Sequence, residues 1–415
     1  LHAQLADETI CIGPAPSKDS YLSMERIISA TLATGAQAIH PGFGFLSENS
    51  KFVRMCEKCN ITFIGPSADI IDKMGDKSAA RSTMMEAGVP VVPGTKEAVY
   101  DAASGIGIAR EIGFPVMIKA SAGGGGKGMR IAETEDDFEN SFDTAKMEAE
   151  KSFGDGTMYI EKYVKNPRHI EFQILADQFG NTIHLGERDC SIQRKHQKMV
   201  EEAPSPAIND KMRKKMGDTA VKAAKAAGYY SVGTIEFLLD QSGEFYFIEM
   251  NTRIQVEHPV TEMVTGIDLI KEQIRVAAGE KLTITQDQVK IQGHALECRI
   301  NAEDPEKNFR PCPGRVEDVH FPGGMGIRVE SALYSGYQIP PFYDSMVVKL
   351  IVHDKTRELA LAKMRSALGE LIIQGVTTNI DFQYDLINDE DFVKGSVDTG
   401  FIERFQKKRE AMAEE

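Results

Sequence analysis

Residues 244–259 read EFYFIEMNTRIQVEHP, an aromatic strand followed by a charged or amide residue at every second position. Successive side chains of a strand point to opposite faces, so the polar series is expected on one face and the intervening apolar residues on the other. The polar series is Glu249, Asn251, Arg253, Gln255 and Glu257. The alternation predicts a functional surface along one side of an extended segment.

The preceding stretch, VGTIEFLLDQSG, predicts a partner strand in a hairpin. If Ser242 and Gly243 form a two-residue turn, Glu236 faces Glu249 at about 5 Å. Carboxylates that close repel unless a cation such as Mg²⁺ or Mn²⁺ neutralises them, and Asn251 could add an amide oxygen ligand. The alternative is an exposed hairpin face with two solvated glutamates. A three-residue turn would break the register.

The bulk composition is typical of a globular α/β enzyme with more than one domain, at 415 residues, 42% hydrophobic, 27% charged and with 36 glycines. It contains no run of 18 apolar residues, so a membrane span is not expected. The net charge of −14 disfavours nucleic acid, although a local basic groove could hold a small anion. Six cysteines without a secreted framework predict a cytoplasmic protein.

Periodicity predicts the order of secondary structure. Short apolar runs (TICIG, AQAIHPG and ITFIG) alternate with helical stretches before Gly65, which indicates parallel βα units of an open α/β layer. A first strand and helix of this layer are expected to precede Leu1. Helices are predicted over residues 24–33, 77–87, 134–151, 210–227, 358–371 and 379–388. The tail QKKREAMAEE is expected to fray.

Two further stretches favour anion binding. KASAGGGGKGMR, residues 119–130, joins strand to strand and predicts a flap whose amides wrap phosphate beside Lys119. A merely flexible hairpin tip is the alternative. GERDCSIQRKHQKMVEEAP, residues 186–204, is basic within an acidic chain, which favours an anion site over a solvated loop.

Nine motifs, taken in order, resemble the biotin carboxylase family of the ATP-grasp superfamily across essentially the whole chain. They are HPGFGFLSEN, FIGP, MGDK, IKASAGGGGKGMR, EKYVKNPRHIEFQ, ERDCSIQRKHQK, FIEMNTRIQVEHPVTE, GHALECRINAEDP and PPFYDSM. The resemblance implies an α/β (α+β) ATP-grasp fold. Its parts would be an N-terminal Rossmann-like layer (1–75), a helical linker (76–90), a mobile β-rich lid (91–164), an ATP-grasp core (165–294) and a C-terminal mixed α/β domain (295–415).

The resemblance also implies an activity. An enzyme of this family uses ATP and bicarbonate to carboxylate biotin on a carrier protein through carboxyphosphate, the first half-reaction of acetyl-CoA carboxylase in fatty acid biosynthesis. A subunit of another acyl-CoA or pyruvate carboxylase is the alternative. Two Mg²⁺ or Mn²⁺ ions, a biotin carboxyl carrier protein, carboxyltransferase subunits and a homodimer are implied. A different ATP-grasp ligase and a catalytically silent ATP-binding subunit are the competing hypotheses.

Site residues are implied motif by motif. ATP contacts fall on Lys77, Lys119, Gly125, Gly126, Glu161, Lys162, Tyr163, Val164, His169, Gln193, His196, Glu236, Leu238 and Glu249. Metal ligands fall on Glu236, Glu249 and Asn251, and bicarbonate contacts on Lys198, Arg253, Gln255 and Val256. Glu257 matches the base, and Arg299 the group that stabilises the biotin enolate. Phe43 matches a position near biotin where the family commonly has tyrosine. It lacks the tyrosine hydroxyl but retains an aromatic ring that can stack.

Overall fold

The structure is a computed structural model that describes residues 1–95, 97–120 and 128–414. The predicted nucleotide contacts Gly125 and Gly126 lie outside the described residues. The chain divides into two compact units. The first comprises residues 1–89, 168–237 and 249–415, and the second comprises residues 90–167 and 238–248.

The helices and strands follow one another along the chain as mixed α and β structure. The helices are α1 (His2–Leu5), α2 (Met24–Thr34), α3 (Ser50–Lys58), α4 (Ala68–Gly75), α5 (Lys77–Glu86), α6 (Ala102–Ile112), α7 (Phe138–Phe153), α8 (Asp210–Ala227), α9 (His258–Thr265), α10 (Leu269–Ala277), α11 (Arg357–Glu370), α12 (Ile380–Asn388), α13 (Glu390–Val393) and α14 (Phe401–Glu414). The strands are β1 (Ala38–Ile39), β2 (Thr62–Phe63), β3 (Val116–Ala120), β4 (Met129–Ala132), β5 (Met158–Lys162), β6 (Arg168–Ala176), β7 (Thr182–Arg194), β8 (Gln197–Ala203), β9 (Ser231–Leu239), β10 (Phe245–Asn251), β11 (His294–Asn301), β12 (Glu303–Asp304), β13 (Arg310–Pro311), β14 (Gly314–Arg315), β15 (Val319–His320), β16 (Ile327–Ser331), β17 (Gln338–Ile339), β18 (Met346–Asp354) and β19 (Ile372–Ile373).

The largest sheet has eight strands, in the order β10-β9-β6-β7-β8-β11-β18-β16, and lies mainly in the first unit. Its successive pairs from β6 to β16 are antiparallel. Helix α9 packs against β7, β8, β11 and β18, and α11 packs against β11 and β18. Strands β6, β7, β8, β9 and β11 are buried over most of their length, so polar side chains within them lie in a desolvated interior.

The N-terminal layer holds a parallel pair, β1 with β2, between helices α2, α3 and α4. This arrangement confirms the predicted βα units at those two strands. The run TICIG at residues 9–13 is not a strand. The predicted cap at Ser67 is confirmed, because its hydroxyl accepts the N–H of Ile70 at the start of α4.

The second unit contains the three-stranded antiparallel sheet β4-β3-β5 and the helices α6 and α7. Its core is apolar and includes Ile118, Phe138, Phe142 and Ile160, all fully buried. Helix α7 begins four residues later than predicted. The Asp137 carboxylate accepts the N–H groups of residues 133 and 134, which closes a turn ahead of the helix.

The C-terminal tail that was predicted to fray has helical backbone, because α14 continues to Glu414. Its apolar face anchors it, with Phe401, Ile402 and Phe405 buried. The ring of Phe405 lies 5.4 Å from that of Phe382 on α12. None of the described helices combines the length and the apolar composition needed to cross a membrane.

Candidate active site

The hairpin of β9 and β10 carries the predicted carboxylates Glu236 and Glu249, but its turn differs from the prediction. The N–H of Asp240 donates to the carbonyl of Glu244 at 2.8 Å, which leaves three residues between them. Gly243 takes a φ of 84°, and the Asp240 carboxylate accepts the N–H of Glu244 at 3.0 Å. This arrangement favours the longer turn. The two-residue turn used to place the carboxylates opposite each other is therefore wrong.

Glu236 nonetheless accepts hydrogen bonds from polar side chains of residues 244–259. Its Oε1 accepts hydrogen bonds from Asn251 Nδ2 and Gln255 Nε2, both at 2.8 Å. Its Oε2 lies 2.9 Å from His169 Nε2. Burial alone would raise the pKa of Glu236, but the charges of Lys198 and His169 outweigh burial and lower that pKa. Glu236 is therefore an ionised acceptor.

Glu249 carries the opposite shift. Burial raises the pKa of its carboxyl group, and the negative charge of Glu236 raises it further, while Lys77 at the start of α5 opposes the rise. A hard cation beside the two carboxylates would relieve their repulsion. Asn251 adds an amide oxygen, which here accepts a hydrogen bond from Arg253 at 2.9 Å. These donors fit a divalent cation.

Lys198 on β8 brings three carboxylates together. Its Nζ lies 2.6 Å from Glu171 Oε2, 2.6 Å from Glu257 Oε1 and 3.1 Å from Glu236 Oε1. The second oxygen of Glu257 accepts a hydrogen bond from Arg299 at 2.9 Å. A predicted base thus touches two predicted cations at once.

Those cations set the protonation of Glu257, which is only 2% exposed at its side chain. Burial would raise the pKa of Glu257, but Lys198, Arg299 and Arg188 outweigh burial and hold that pKa well below its usual range. Burial likewise opposes the charged form of Lys198, and the surrounding carboxylates reverse that effect and raise the pKa of Lys198. Both groups are charged near neutral pH.

The prediction that all five polar residues lie along one strand is wrong beyond Asn251, where β10 ends. The backbone N–H of Thr252 and the Nε of Arg253 are bound by the carboxylate of Glu48, at 3.0 and 2.8 Å, instead of by a neighbouring strand. The chain then turns, and Glu257 becomes the residue that precedes α9. The functional side chains converge through this turn.

The basic stretch at residues 186–204, for which an anion site was favoured over a solvated loop, is also a hairpin, formed by β7 and β8. Its turn consists of Lys195 and His196, with positive φ angles of 50° and 65°, the conformation of a two-residue hairpin turn. The register places Gln193 opposite Lys198. The predicted nucleotide contacts Gln193 and His196 therefore lie at one end of this hairpin, and Gln193 is the cross-strand neighbour of Lys198, which binds the three carboxylates.

The sequence reasoning missed Arg188, which is fully buried beneath this cluster. Its guanidinium donates to Glu171, Gln173, Thr234, Gln255 and Thr261 over 2.5–3.1 Å. A signal was available in the stretch HIEFQILAD, where His169, Glu171 and Gln173 alternate within a buried strand. That is the same pattern that drew attention to residues 249–257.

The two residues predicted near biotin both adjoin Lys349 on β18. Arg299 is paired with Lys349 across β11 and β18, and the Lys349 ammonium lies 5.8 Å from the ring centre of Phe43. Lys349 also donates to the carbonyl of Val256 at 3.0 Å. The predicted biotin and bicarbonate residues are therefore connected through one lysine.

The second unit holds another set of predicted nucleotide contacts. On its sheet, Lys119 Nζ lies 2.5 Å from Glu161 Oε2. The neighbouring Lys162 donates to the hydroxyl of Tyr246 at 3.2 Å. Tyr163 and Val164 follow β5 directly, and Leu238 lies in β9. Within this unit, Glu161 and Lys162 occupy consecutive positions of β5, and Lys119 on the neighbouring strand β3 pairs with Glu161.

Comparison with known proteins agrees with this architecture. Three family descriptions match in succession: "Biotin carboxylase, N-terminal domain" over residues 1–71, "Carbamoyl-phosphate synthase L chain, ATP binding domain" over 76–285, and "Biotin carboxylase C-terminal domain" over 297–404. Biotin carboxylase 1 of Bacillus subtilis is 56% identical over 406 residues, which cover 98% of this chain and 90% of that protein.

Solved structures extend the similarity to the fold. The biotin carboxylase domain dimer of Hydrogenobacter thermophilus 2-oxoglutarate carboxylase, in complex with MgADP, ADP and bicarbonate, is 52% identical with a TM-score of 0.85, covering 97% of this chain and 89% of that one. The biotin carboxylase subunit of a pyruvate carboxylase is 51% identical with a TM-score of 0.90, covering 98% and 90%. These structures confirm the predicted ATP-grasp fold. The chain belongs to the biotin carboxylase family, whose members are ligases with this fold.

Proposed function

We propose that this enzyme carboxylates biotin on a carrier protein, using ATP and bicarbonate, and releases ADP and phosphate. The observation that carries the proposal is the position of Glu257 between Lys198 and Arg299, at 2.6 and 2.9 Å. Bicarbonate is a weak nucleophile at neutral pH. A carboxylate that takes its proton and cations that hold its charge are the groups this chemistry needs.

In the first step, bicarbonate is held by Lys198, Arg253, Gln255 and Val256, and Glu257 accepts its proton. The resting carboxylate is a poor base, because two cations stabilise its charge. An anion that draws Lys198 toward itself weakens one of those interactions and makes Glu257 more basic. The substrate therefore activates its own base.

In the second step, the deprotonated bicarbonate oxygen attacks the γ-phosphorus of ATP, and ADP leaves. Nucleotide contacts are proposed for Lys77, Lys119, Gly125, Gly126, Glu161, Lys162, Tyr163, Val164, His169, Gln193, His196, Glu236, Leu238 and Glu249. Glu236, Glu249 and Asn251 would hold Mg²⁺ or Mn²⁺, and such an ion, when bound, neutralises charge on the phosphates.

In the third step, carboxyphosphate breaks down to carbon dioxide and phosphate, and the phosphate takes the N1′ proton of biotin. Arg299 stabilises the enolate that forms on biotin, and the ring of Phe43 lies against the biotin. The N1′ nitrogen then attacks carbon dioxide. Arg299 suits this role because it is buried yet shares its charge between two carboxylates, Glu201 and Glu257.

The assembly is also a proposal. We infer a homodimer, which is the form of the H. thermophilus neighbour, acting with a biotin carboxyl carrier protein and carboxyltransferase subunits in the cytoplasm. The acetyl-CoA carboxylase half-reaction is the proposed role. The similarity to subunits of 2-oxoglutarate and pyruvate carboxylases keeps another acceptor as the second candidate.

The test is ATP hydrolysis by the purified protein. We expect ADP release that depends on bicarbonate and is stimulated by free biotin, with labelled carbon transferred from bicarbonate to biotin. Arg253→Ala should reduce this turnover greatly. Nucleotide binding without turnover would instead identify a silent subunit, and a different labelled product would identify another ATP-grasp ligase.

A further inference from the structure

Two glutamates that the proposed mechanism does not use face each other behind Arg299. Glu201 on β8 and Glu297 on β11 are directly opposed in the antiparallel register. Both side chains are fully buried. Directly opposed residues hold their Cβ atoms about 5 Å apart, and like charges at that distance destabilise a sheet.

The hydrogen bonds of this pair are unequal. Glu201 Oε1 accepts the Nε–H of Arg299 at 2.6 Å and lies 2.6 Å from the Nη2 atom of the same guanidinium. Glu201 Oε2 and both oxygens of Glu297 have no hydrogen-bond partner among the residues that the structure describes. An ionised carboxylate without partners in a dry interior costs several kcal/mol, and a neutral acid costs much less. Protonation therefore lowers the energy of Glu297 more than that of Glu201, because neither oxygen of Glu297 has a hydrogen-bond partner among the described residues.

The charged neighbours do not supply a cation for Glu297. Lys349 on β18 is paired with Glu330 and donates to the carbonyl of Val256. Arg299, on the same strand as Glu297, is already shared by Glu201 and Glu257. Other titratable groups on the packed elements include Lys198 and Glu202 on β8, His258 and Glu262 on α9, His353 on β18, and Arg357 on α11, which pairs with Glu202. Glu257, directly ahead of α9, adds a negative charge that further raises the pKa of Glu297.

The protonation energetics agree with the geometry. Burial raises the pKa of Glu297 well above its usual value, and the charge of Glu201 raises it further against Lys349 and Arg299. Burial also raises the pKa of Glu201, to about 7, although Arg299 opposes the rise. Two coupled carboxyls of this kind titrate as one unit.

We propose that Glu201 and Glu297 share one proton at neutral pH and that this acid–carboxylate pair positions Arg299 for biotin. With Glu297 neutral, Glu201 presents a single negative charge to Arg299, and the guanidinium can also reach Glu257. Loss of the shared proton adds a second negative charge on the same side and draws Arg299 away from Glu257. Glu297 is thus a positioning residue, and this role rests on the proposed function of Arg299.

The proton itself is testable without turnover. Infrared difference spectra between pH 7 and alkaline pH should show the C=O stretch of a buried carboxylic acid in the resting protein, and labelling glutamate with ¹³C should shift this band. In Glu297→Gln the band should be lost. A wild-type spectrum without such a band, or a band that persists in the variant, overturns the shared proton even if the enzyme carboxylates biotin.

The positioning role is tested by kinetics with free biotin. Glu297→Gln is isosteric with the neutral acid, so it should fold and keep the KM for biotin, but lose the decline of kcat/KM at alkaline pH. Glu201→Gln removes the anion and should raise the KM for biotin about tenfold, while bicarbonate-dependent ATP hydrolysis without biotin changes much less. Glu57→Gln, on the exposed face of α3, is the control and should leave the KM for biotin unchanged.

The outcomes separate the two proposals. An unfolded Glu297→Gln protein contradicts a neutral acid at that position, since the amide replaces it in shape. An unchanged KM for biotin in Glu201→Gln contradicts the positioning role. If the wild-type protein shows the acid band but no biotin carboxylation, the proposed function fails while the proton pair stands.

Discussion

The ammonium group of Lys198 lies 2.6 Å from Oε1 of Glu257, and the side chain of Glu257 is almost completely buried. An isolated carboxylate in this position would bind a proton and be useless as a base. The lysine keeps it ionised at the expense of basicity. Under the proposed function, an anionic substrate would compete for the same cation, and the contact would couple bicarbonate binding to proton removal.

The first prediction concerns this base. Glu257→Gln keeps the shape of the side chain but cannot accept a proton, so bicarbonate-dependent ATP hydrolysis should fall by about 10²–10⁴-fold. ADP release measures the loss, and calorimetric titration should show that nucleotide binding persists. Glu57→Gln, on the exposed face of α3, is the control. A wild-type rate in Glu257→Gln would assign the proton to another acceptor.

The second prediction concerns the divalent cation. Glu249→Gln removes one of the two proposed metal-binding carboxylates, the one whose pKa is raised by the charge of Glu236, so Mg²⁺ should bind the nucleotide complex about tenfold more weakly. Titration of nucleotide binding at varied Mg²⁺ measures the change. Binding of nucleotide in the absence of Mg²⁺ should be unaltered. An unchanged Mg²⁺ dependence would place the ion elsewhere.

The sequence predicted the ATP-grasp fold and the polar series of residues 249–257, because alternation and ordered motifs are local properties. It could not predict the three-residue turn between Asp240 and Glu244. Turn length depends on whether a side chain caps the turn, and here the Asp240 carboxylate does so. One added residue in the turn moves the side chains of the second strand to the opposite face of the sheet. The strands β9 and β10 were therefore predicted correctly, but their register was not.

Arg188 shows the same limit for buried charge. In the sequence it appears among basic residues typical of a solvated loop, yet the fold buries it completely among five hydrogen-bond acceptors. Its acceptors come from strands and a helix up to 73 residues away in sequence. The three-dimensional register brings these groups together, and the sequence marks only part of the set, through the alternation of Glu171 and Gln173 in β6.

The third prediction follows from that burial. Arg188→Met should destabilise the protein by about 3–5 kcal/mol, because it leaves the carboxylate of Glu171 buried with fewer partners. Arg54→Ala is the contrasting variant. Arg54 pairs with Asp69 and Asp72 at the surface, where water and salt screen ion pairs so that they contribute little to stability. The urea midpoint of Arg188→Met should be much lower than that of Arg54→Ala. Equal midpoints would mean that the buried guanidinium contributes no more to stability than the exposed one.

The fourth prediction concerns acid stability. Burial would raise the pKa of Glu202, but His294, 2.8 Å away, and Arg357, 2.7 Å away, outweigh burial and lower that pKa to about 2. This carboxylate stabilises the fold above the ordinary glutamate pKa, and the stabilisation is lost as the pH falls toward 2. Its size is on the order of 3 kcal/mol, since one pKa unit corresponds to about 1.4 kcal/mol. Glu202→Gln should therefore be less stable than the wild type at pH 7, and urea unfolding should show the gap narrowing below about pH 4.5.

The last prediction has the opposite sign and concerns Glu297, on the neighbouring strand. The pKa of its carboxyl group is raised in the folded protein, so the folded state holds a proton that the unfolded chain releases. That difference costs stability as the pH rises from the ordinary glutamate pKa toward the raised one. Glu297→Gln carries no such proton, so its stability relative to the wild type should increase between about pH 5 and pH 8. Urea midpoints across this window measure the trend. If the difference in urea midpoint between the variant and the wild type stays constant across this window, Glu297 is ionised in the folded protein. A cation other than Lys349 and Arg299 would then have to lie beside it.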